Sequence, residues 1–150
     1  EDIDQFIRQV LYLKQKYIFI YATGFSAIMA EYLYKKLLVL GKKTVIATGT
    51  DSIGVFENNL EDIGAFIVIS KSGETQQVID KLLVAKDQGI FTITFTKETS
   101  NRAAELADLN FNKLDDRNML PNSFFPRLLM LVEYIFKMYL DGLQKEIADE

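Results

Sequence analysis

The fold is decided by residues 65–75, which read Ala65-Phe66-Ile67-Val68-Ile69-Ser70-Lys71-Ser72-Gly73-Glu74-Thr75. The first five are an apolar run typical of a buried strand, and the periodicity that follows predicts a helix from Gln76 to Gln88. At such a turn a glycine lets the backbone bend tightly, while free helix N–H groups and nearby hydroxyls converge on one point. The stretch therefore predicts a phosphate-binding turn, with four ligands: Ser70, Ser72, Gly73 and Thr75. The alternative is that Ser72 or Gly73 only caps an ordinary helix.

A second turn of the same kind occurs earlier in the chain. Residues 17–21 read as a short buried strand, and Ala22-Thr23-Gly24-Phe25-Ser26 leads into an amphipathic pattern that predicts a helix through Leu40. The carboxyl ends of parallel strands share one edge of a sheet, so both turns are expected to flank one crevice. We expect Thr23, Gly24 and Ser26 to contact the ligand there, although Ser26 could instead cap the helix.

The rest of the chain repeats this alternation of strand and helix. Further strands are predicted at residues 44–47, 90–95 and 109–111. Asp51 and Ser52 are expected to cap a short helical piece, Ser100 is expected to cap a helix ending at Leu106, and residues 112–123 are expected to form a loop. This order is typical of an α/β fold in which helices cover both faces of a parallel sheet.

Composition narrows the possible functions. The 150 residues include neither cysteine nor histidine, which excludes disulfides, thiolate metal sites and histidine-dependent catalytic triads. The net charge of −4 argues against direct nucleic-acid binding by this chain. No apolar run approaches the roughly 18 residues of a membrane span, so we expect a soluble protein located in the cytoplasm.

The two ends of the chain differ in character. Residues 1–15 are predicted to form a short lead-in helix, which either connects to an upstream module or packs on the sheet. The last helix, beginning at Phe124, is apolar on nearly every side through Leu140, which is typical of a helix buried on more than one face. Because one small sheet covers only one face, we expect the other to form a homodimer interface, the alternative being cover from within the chain.

With both turns placed, the chain resembles the sugar isomerase (SIS) domain over residues 14–142. The family's second signature, serine-x-serine-glycine-x-threonine, is complete as Ser70, Ser72, Gly73 and Thr75. The first, glycine-x-glycine-x-serine, occurs as Ala22, Gly24 and Ser26, with alanine in the leading position. Within the family the chain is most similar to the sensor domains of RpiR-type bacterial transcription regulators.

The resemblance implies a three-layer αβα sandwich with a five-stranded parallel sheet, similar to flavodoxin and Rossmann folds. It divides the chain into a lead-in segment (1–15), the SIS domain (16–143) and a C-terminal tail (144–150). It also implies a homodimer or higher homo-oligomer, a sugar phosphate in the crevice, and DNA contact only through a separate N-terminal domain. No cofactor, metal or membrane contact is implied.

The charged residues near these turns have alternative roles. Lys71 could add positive charge to the site, but in an extended segment it would face solvent beside inward-facing serines. Glu74 would repel a phosphate and is expected to face outward and complement the dipole of the helix that follows the turn. Glu57 and Glu133 could act as bases in an aldose-ketose isomerase. For Glu133 we favour contact with sugar hydroxyls, or an interface ion pair with a residue such as Arg127.

Three functions remain open from the sequence. The favoured one is a phosphosugar-binding sensor domain of a transcription regulator, without turnover and therefore without catalytic residues. The second is a phosphosugar isomerase with a glutamate base. The third is a dimerisation domain that binds no ligand.

Overall fold

The secondary structure follows the predicted alternation closely. The structure is a computed structural model that describes residues 2–14, 16–49, 54–97, 99–112 and 124–149. The strands are β1 (Tyr17–Ala22), β2 (Thr44–Thr48), β3 (Ile63–Ile69), β4 (Phe91–Phe95) and β5 (Leu109–Phe111). The helices are α1 (Asp2–Phe6), continued by a π-helix (Ile7–Leu11), α2 (Ser26–Val39), a short 3-10 helix (Leu60–Asp62), α3 (Gln76–Asp87), α4 (Arg102–Leu106) and α5 (Phe124–Asp149).

The five strands form one sheet in the order β2-β1-β3-β4-β5, and every pair is parallel. The central register aligns Ile20 with Ile46 on one side and with Ile67 on the other. Apolar residues fill β1 and β3 because both faces of these strands are buried. After β1, the chain forms β2 on one side of β1 and then β3 on the other side. The C-terminal ends of β1 and β3 therefore make the topological switch point at which α/β sheets bind ligands.

Helices cover both faces of the sheet. One apolar cluster joins the sheet to α1, its π-helical continuation, α2 and α5, through residues such as Phe6, Leu33 and Leu128. The other joins the opposite face to α3 and α4, through residues such as Val78, Leu82 and Ala103. The predicted three-layer αβα sandwich with a five-stranded parallel sheet is confirmed.

The N-terminal helix packs on the sheet. Phe6, Val10 and Leu11 are buried in the first cluster, and the Phe6 ring meets Phe95 and Phe111 edge-on at centroid distances of 6.3 and 6.0 Å. Of the two alternatives for this segment, the structure supports packing within the domain. The division into residues 1–15, 16–143 and 144–150 stays a prediction, and α5 continues as a helix through Asp149.

Two local predictions fail or cannot be judged. The cap of α4 is Asn101 and not Ser100: the Asn101 side chain accepts a 2.8 Å hydrogen bond from the Ala104 N–H. Asp51 and Ser52 lie outside the described residues, as does the predicted loop from residue 113 onward, and residues 54–58 form turns in place of a helix. No helix in the described part of the chain is both long and apolar enough to cross a membrane.

Candidate functional site

A cavity of about 330 Å³ lies at the switch point, between the turn after β1 and the turn after β3. Thr23 and Ser26 line it from the first turn. Ser70, Ser72 and Thr75 line it from the second. Five of the eight predicted site residues therefore meet around one space, whose size suits a small polar ligand.

Side-chain hydrogen bonds hold the β3–α3 turn in shape. The Ser70 hydroxyl accepts a 3.1 Å bond from the Gly73 N–H, and the Ser72 hydroxyl accepts a 3.1 Å bond from the Glu74 N–H. Both N–H groups are hydrogen-bonded within the turn, and their role as phosphate donors stays a prediction. Each serine oxygen thereby acts as an acceptor and keeps its own hydroxyl proton to donate to an anion.

The two helices that begin at the cavity do not use its hydroxyls as caps. The Thr75 side chain makes no capping bond to α3, although Thr75 is the residue before the helix begins. Ser26 is the first residue of α2 and lies after the cap position, which Phe25 occupies. The capping alternative is wrong for Ser26 and is not supported for Ser72, whose hydroxyl bonds within the turn. The positive end of the α3 dipole lies at the cavity, where it favours an anion.

Two lysines add positive charge to the cavity wall. Lys71 is half-buried and lines the cavity, which supports the alternative that it adds positive charge to the site. The chain bends at residues 71–73, and the alternation of a straight strand does not apply there. Lys97, which follows β4, also lines the cavity and was missed in the sequence. Its position directly after a strand of the same parallel sheet was the signal that could have revealed it.

Gly73 packs against Asn101 and does not line the cavity. Its φ angle is +66°, a conformation that favours glycine, and a Cβ atom there would lie 2.0 Å from the Asn101 Oδ1 atom. Gly24 also has a positive φ of +61°, but a Cβ would meet nothing within 4 Å. Gly73 therefore acts as a structural residue of the turn, while its expected role as a phosphate ligand stays a prediction.

Glu74 faces outward, as predicted, but it complements α4 and not α3. One carboxylate oxygen accepts a 2.8 Å bond from the Arg102 N–H, and the other accepts a 2.9 Å bond from the Arg102 guanidinium. Hydrogen bonds from the side chain and the backbone of Arg102 lower the pKa of Glu74 below its ordinary value. The carboxylate therefore stays ionised and joins the turn to the next helix.

The structure does not bring Glu133 to the cavity. It lies on α5, where its carboxylate accepts a hydrogen bond from the Tyr32 hydroxyl and pairs with the Lys36 ammonium at 3.3 Å. Both partners belong to α2, so these contacts join the two helices on the outer side of the sheet. Glu133 does not line the cavity of the single chain, and its expected contact with sugar hydroxyls stays a prediction. Lys36 is the partner of Glu133 within the chain, and an interface ion pair with a residue such as Arg127 stays a prediction.

Glu57, the other candidate base, also pairs with a lysine and does not line the cavity. Its carboxylate accepts a 2.6 Å bond from Lys81. Burial alone would raise the pKa of Glu57, but hydrogen bonds from Lys81 and the backbone outweigh it and lower the pKa. A carboxylate that holds its proton so weakly is a poor general base near neutral pH.

The comparison with known families agrees with this geometry. A family model described as the SIS domain matches residues 11–136, most of the chain. The chain belongs to the SIS domain family. The match spans both turns of the cavity and all five strands.

A relative of this SIS domain is an HTH-type transcriptional regulator of Clostridium perfringens. The two are 25% identical over 145 residues, which cover 91% of this chain. The same match covers 52% of the regulator, so the SIS domain described here spans about half the length of that protein.

Two solved structures share its fold. One is the sugar isomerase domain of an RpiR transcription factor from Sphaerobacter thermophilus, with a TM-score of 0.72 and 17% identity, covering 99% of this chain and 86% of the other. The second is the NanR protein of Vibrio vulnificus complexed with ManNAc-6P, with a TM-score of 0.70 and 18% identity, covering 98% of this chain and 59% of the other. At these identities the likeness shows the fold alone, which is also shared by a structure from Bacteroides fragilis described as that of a phosphosugar isomerase, with a TM-score of 0.74 and 15% identity, covering 95% of this chain and 77% of the other.

Proposed function

We propose that this SIS domain is the sensor domain of a transcription regulator and binds a sugar phosphate without converting it. The observation that carries the proposal is the cavity at the switch point, where hydroxyls from two turns, two lysines and the start of α3 surround one space. Hydroxyl donors and a helix N-terminus suit a phosphate group. Thr23 and Ser26, on the other side of the cavity, would contact the sugar.

The relatives support the regulatory part of the proposal. The Clostridium perfringens protein is an HTH-type regulator, and the NanR protein was solved with a phosphosugar. In the full-length protein an N-terminal helix-turn-helix domain would contact DNA, since the acidic SIS domain is unsuited to it. A transcription regulator of this kind would act in the cytoplasm.

The chemistry of the described site supports binding over catalysis. The chain contains no histidine, the residue that most often moves protons near neutral pH. Glu57 and Glu133 are paired with Lys81 and Lys36, and neither lines the cavity. A base that abstracts a proton beside the sugar carbonyl would have to be within hydrogen-bond reach of it.

We further propose that the domain forms a homodimer through α5. Its buried side packs on the sheet, while Met130 and Tyr134 on the other side expose 63% and 51% of their surfaces. A ligand regulates such a dimer only if it binds one arrangement more tightly than another.

A thermal-shift screen of sugar phosphates against the isolated domain tests the binding proposal. A specific ligand at about 100 times its dissociation constant adds about 2.7 kcal/mol of stability, which raises the melting temperature clearly. The unphosphorylated sugar serves as the matched control and is expected to give no shift. If no sugar phosphate stabilises the domain at millimolar concentration, the ligand-free dimerisation domain becomes the better description.

Turnover separates the sensor from the isomerase. We expect NMR spectra of the bound sugar phosphate in deuterated water to show no exchange at the carbon beside the carbonyl. Ligand-specific exchange that disappears in Glu57→Gln or Glu133→Gln would establish the isomerase and contradict the sensor. Exchange equal in both variants and in buffer alone would be uncatalysed and leave the sensor proposal intact.

A further inference from the structure

Lys97 is brought to the cavity by a different loop from the residues of the SIS signatures. It follows β4 after Thr96, and its backbone N–H donates a 3.0 Å hydrogen bond to the carbonyl of Lys71. This bond places the start of the β4–α4 loop directly beside the β3–α3 turn. Lys97 then lines the cavity together with Ser70, Ser72 and Thr75.

The charge around the cavity is strongly one-sided. Among the described residues, its wall carries Lys71 and Lys97 and no carboxylate. Glu74, the acidic residue of the turn, is bound by Arg102, and the positive charge of Lys97 makes a smaller contribution to the lowering of its pKa. A wall that carries two lysines and several hydroxyl donors is suited to an anion with more than one negative charge, such as a phosphate monoester.

The loop that carries Lys97 is also tied firmly to the turn. Besides the bond between Lys97 and Lys71, the Ala103 N–H donates a 3.0 Å bond to the Gly73 carbonyl. The buried Asn101 side chain donates to the Thr96 hydroxyl at 3.1 Å and to the Thr99 carbonyl at 3.0 Å. These bonds use backbone atoms or other side chains, so the Lys97 ammonium is not needed to hold the loop in place.

We propose that Lys97 is a phosphate-binding residue supplied by the β4–α4 loop, so that the bound phosphate bridges this loop and the β3–α3 turn. This proposal rests on the proposed function for the identity of the sugar ligand. The contact between Lys97 and a phosphate group does not depend on that function and can be tested with inorganic phosphate. The serine and threonine hydroxyls hold the phosphate oxygens from one side, and the Lys97 ammonium neutralises charge from the other. Binding then restrains two loops that lead into α3 and α4.

Titration calorimetry with inorganic phosphate and with the best sugar phosphate from the screen tests the assignment. Lys97→Met keeps the aliphatic stem and removes the charge, and we expect it to weaken both ligands by about tenfold. Lys97→Arg keeps the charge and is expected to restore most of the affinity. Lys35→Gln removes an exposed lysine of α2 that does not line the cavity, and it controls for a general change in net charge.

Hydrogen exchange gives a second measurement that a purely structural role would not change. In the wild-type domain, phosphate is expected to slow amide exchange in peptides from both loops. In Lys97→Met, saturated with phosphate, protection is expected to remain in the β3–α3 turn and to be lost in residues 97–102. Equal stability of the ligand-free variants would show that the difference does not come from unfolding.

The outcomes separate this inference from the proposed function. If sugar phosphates bind and Lys97→Met binds them as well as the wild type, the Lys97 assignment is overturned while the sensor proposal stands. If only inorganic phosphate binds, and its binding depends on Lys97, the assignment stands and the sugar phosphate proposal fails. If neither ligand binds, both are wrong.

Discussion

At the scale of single residues, Gly73 shows how the candidate site depends on close packing. Its backbone has φ of +66°, and the Asn101 side chain occupies the space where a Cβ atom would be. Asn101 cannot move aside easily because it is buried and bonded to Thr96, Thr99 and Ala104. The position therefore requires glycine for two independent reasons.

Gly73→Ala is accordingly expected to destabilise the domain more than Gly89→Ala does. Gly89 has a similar φ of +72° but nothing within 4 Å of its Cβ position. Alanine there is therefore expected to lower the free energy of unfolding only by the strain of a positive φ, about 1 to 2 kcal/mol. The contact with Asn101 should add at least about 1 kcal/mol at Gly73. Urea unfolding of both variants measures the difference. Equal losses of unfolding free energy would show that the Asn101 side chain moves aside without a cost in stability.

The hydroxyls of the turn give a second prediction at this scale. We expect Ser72→Ala combined with Thr75→Val to weaken sugar phosphate binding at least about tenfold, which corresponds to about 1.4 kcal/mol. The fold should persist, because Thr75 makes no capping bond and water can replace Ser72 at the exposed Glu74 N–H. Calorimetry on the folded double variant is the measurement, with Ser100→Ala as a control hydroxyl outside the cavity. Unchanged affinity would place the phosphate elsewhere.

At the scale of elements, the β3–α3 turn and α4 behave as one unit. The carboxylate of Glu74 binds the first N–H of α4 and the Arg102 guanidinium, and the Gly73 carbonyl accepts from Ala103. Both contacts join segments that are nearly thirty residues apart in sequence. The short helix α4 thus supports the turn that lines the cavity.

The contact between Glu74 and Arg102 predicts a pH dependence of stability. Since the pKa of Glu74 is lowered in the folded state from an ordinary value of 4.5, its stabilising contribution is complete above that pH. It is lost as the pH falls through the lowered pKa. The difference in unfolding free energy between the wild type and Glu74→Gln should therefore be constant above pH 4.5 and shrink below it.

Urea unfolding across the acidic range measures that difference. Other carboxylates such as Glu57 titrate equally in both proteins, so their contributions cancel. Glu31→Gln, an exposed residue of α2, provides a matched loss of one carboxylate. A difference for Glu74→Gln that stays constant down to pH 3 would show that the carboxylate contributes nothing through its charge.

At the scale of the whole molecule, α5 carries apolar residues on two sides. Leu128, Val132 and Ile135 pack on the sheet, whereas Met130, Tyr134 and Met138 form an exposed row at a spacing of four residues. The exposed side also carries polar residues, among them the Lys137–Asp141 ion pair, but they do not separate the members of the apolar row. An exposed apolar row of this kind is typical of an interface.

We expect the domain to be a homodimer in dilute solution, with twice the 17.2 kDa chain mass in light scattering. Tyr134→Glu places a charge in the exposed row and is expected to yield monomers that still fold. Lys145→Glu, further along the same helix, should leave the dimer intact. A wild-type monomer at micromolar concentration would contradict the proposed dimer.

The sequence by itself determined the strands and helices, the parallel sheet, the two turns at one edge and the family. These features depend on local patterns: apolar runs predict strands such as β3, helical spacing predicts α2 and α3, and glycine with serine marks the turns between them. Even β5, only three residues long, was predicted, from its own residues Leu109-Asn110-Phe111.

Only the tertiary structure revealed which side chains from separate elements meet. It placed Lys97 in the cavity, directed Glu74 to α4, paired Glu133 with Tyr32 and Lys36, and packed Asn101 against Gly73. Each of these contacts joins two elements whose separation in space depends on how helices pack on the sheet. The residues next to a lysine or a glutamate in the sequence do not determine that distance. They are the same whichever side chain from another element the lysine or glutamate contacts in the folded domain.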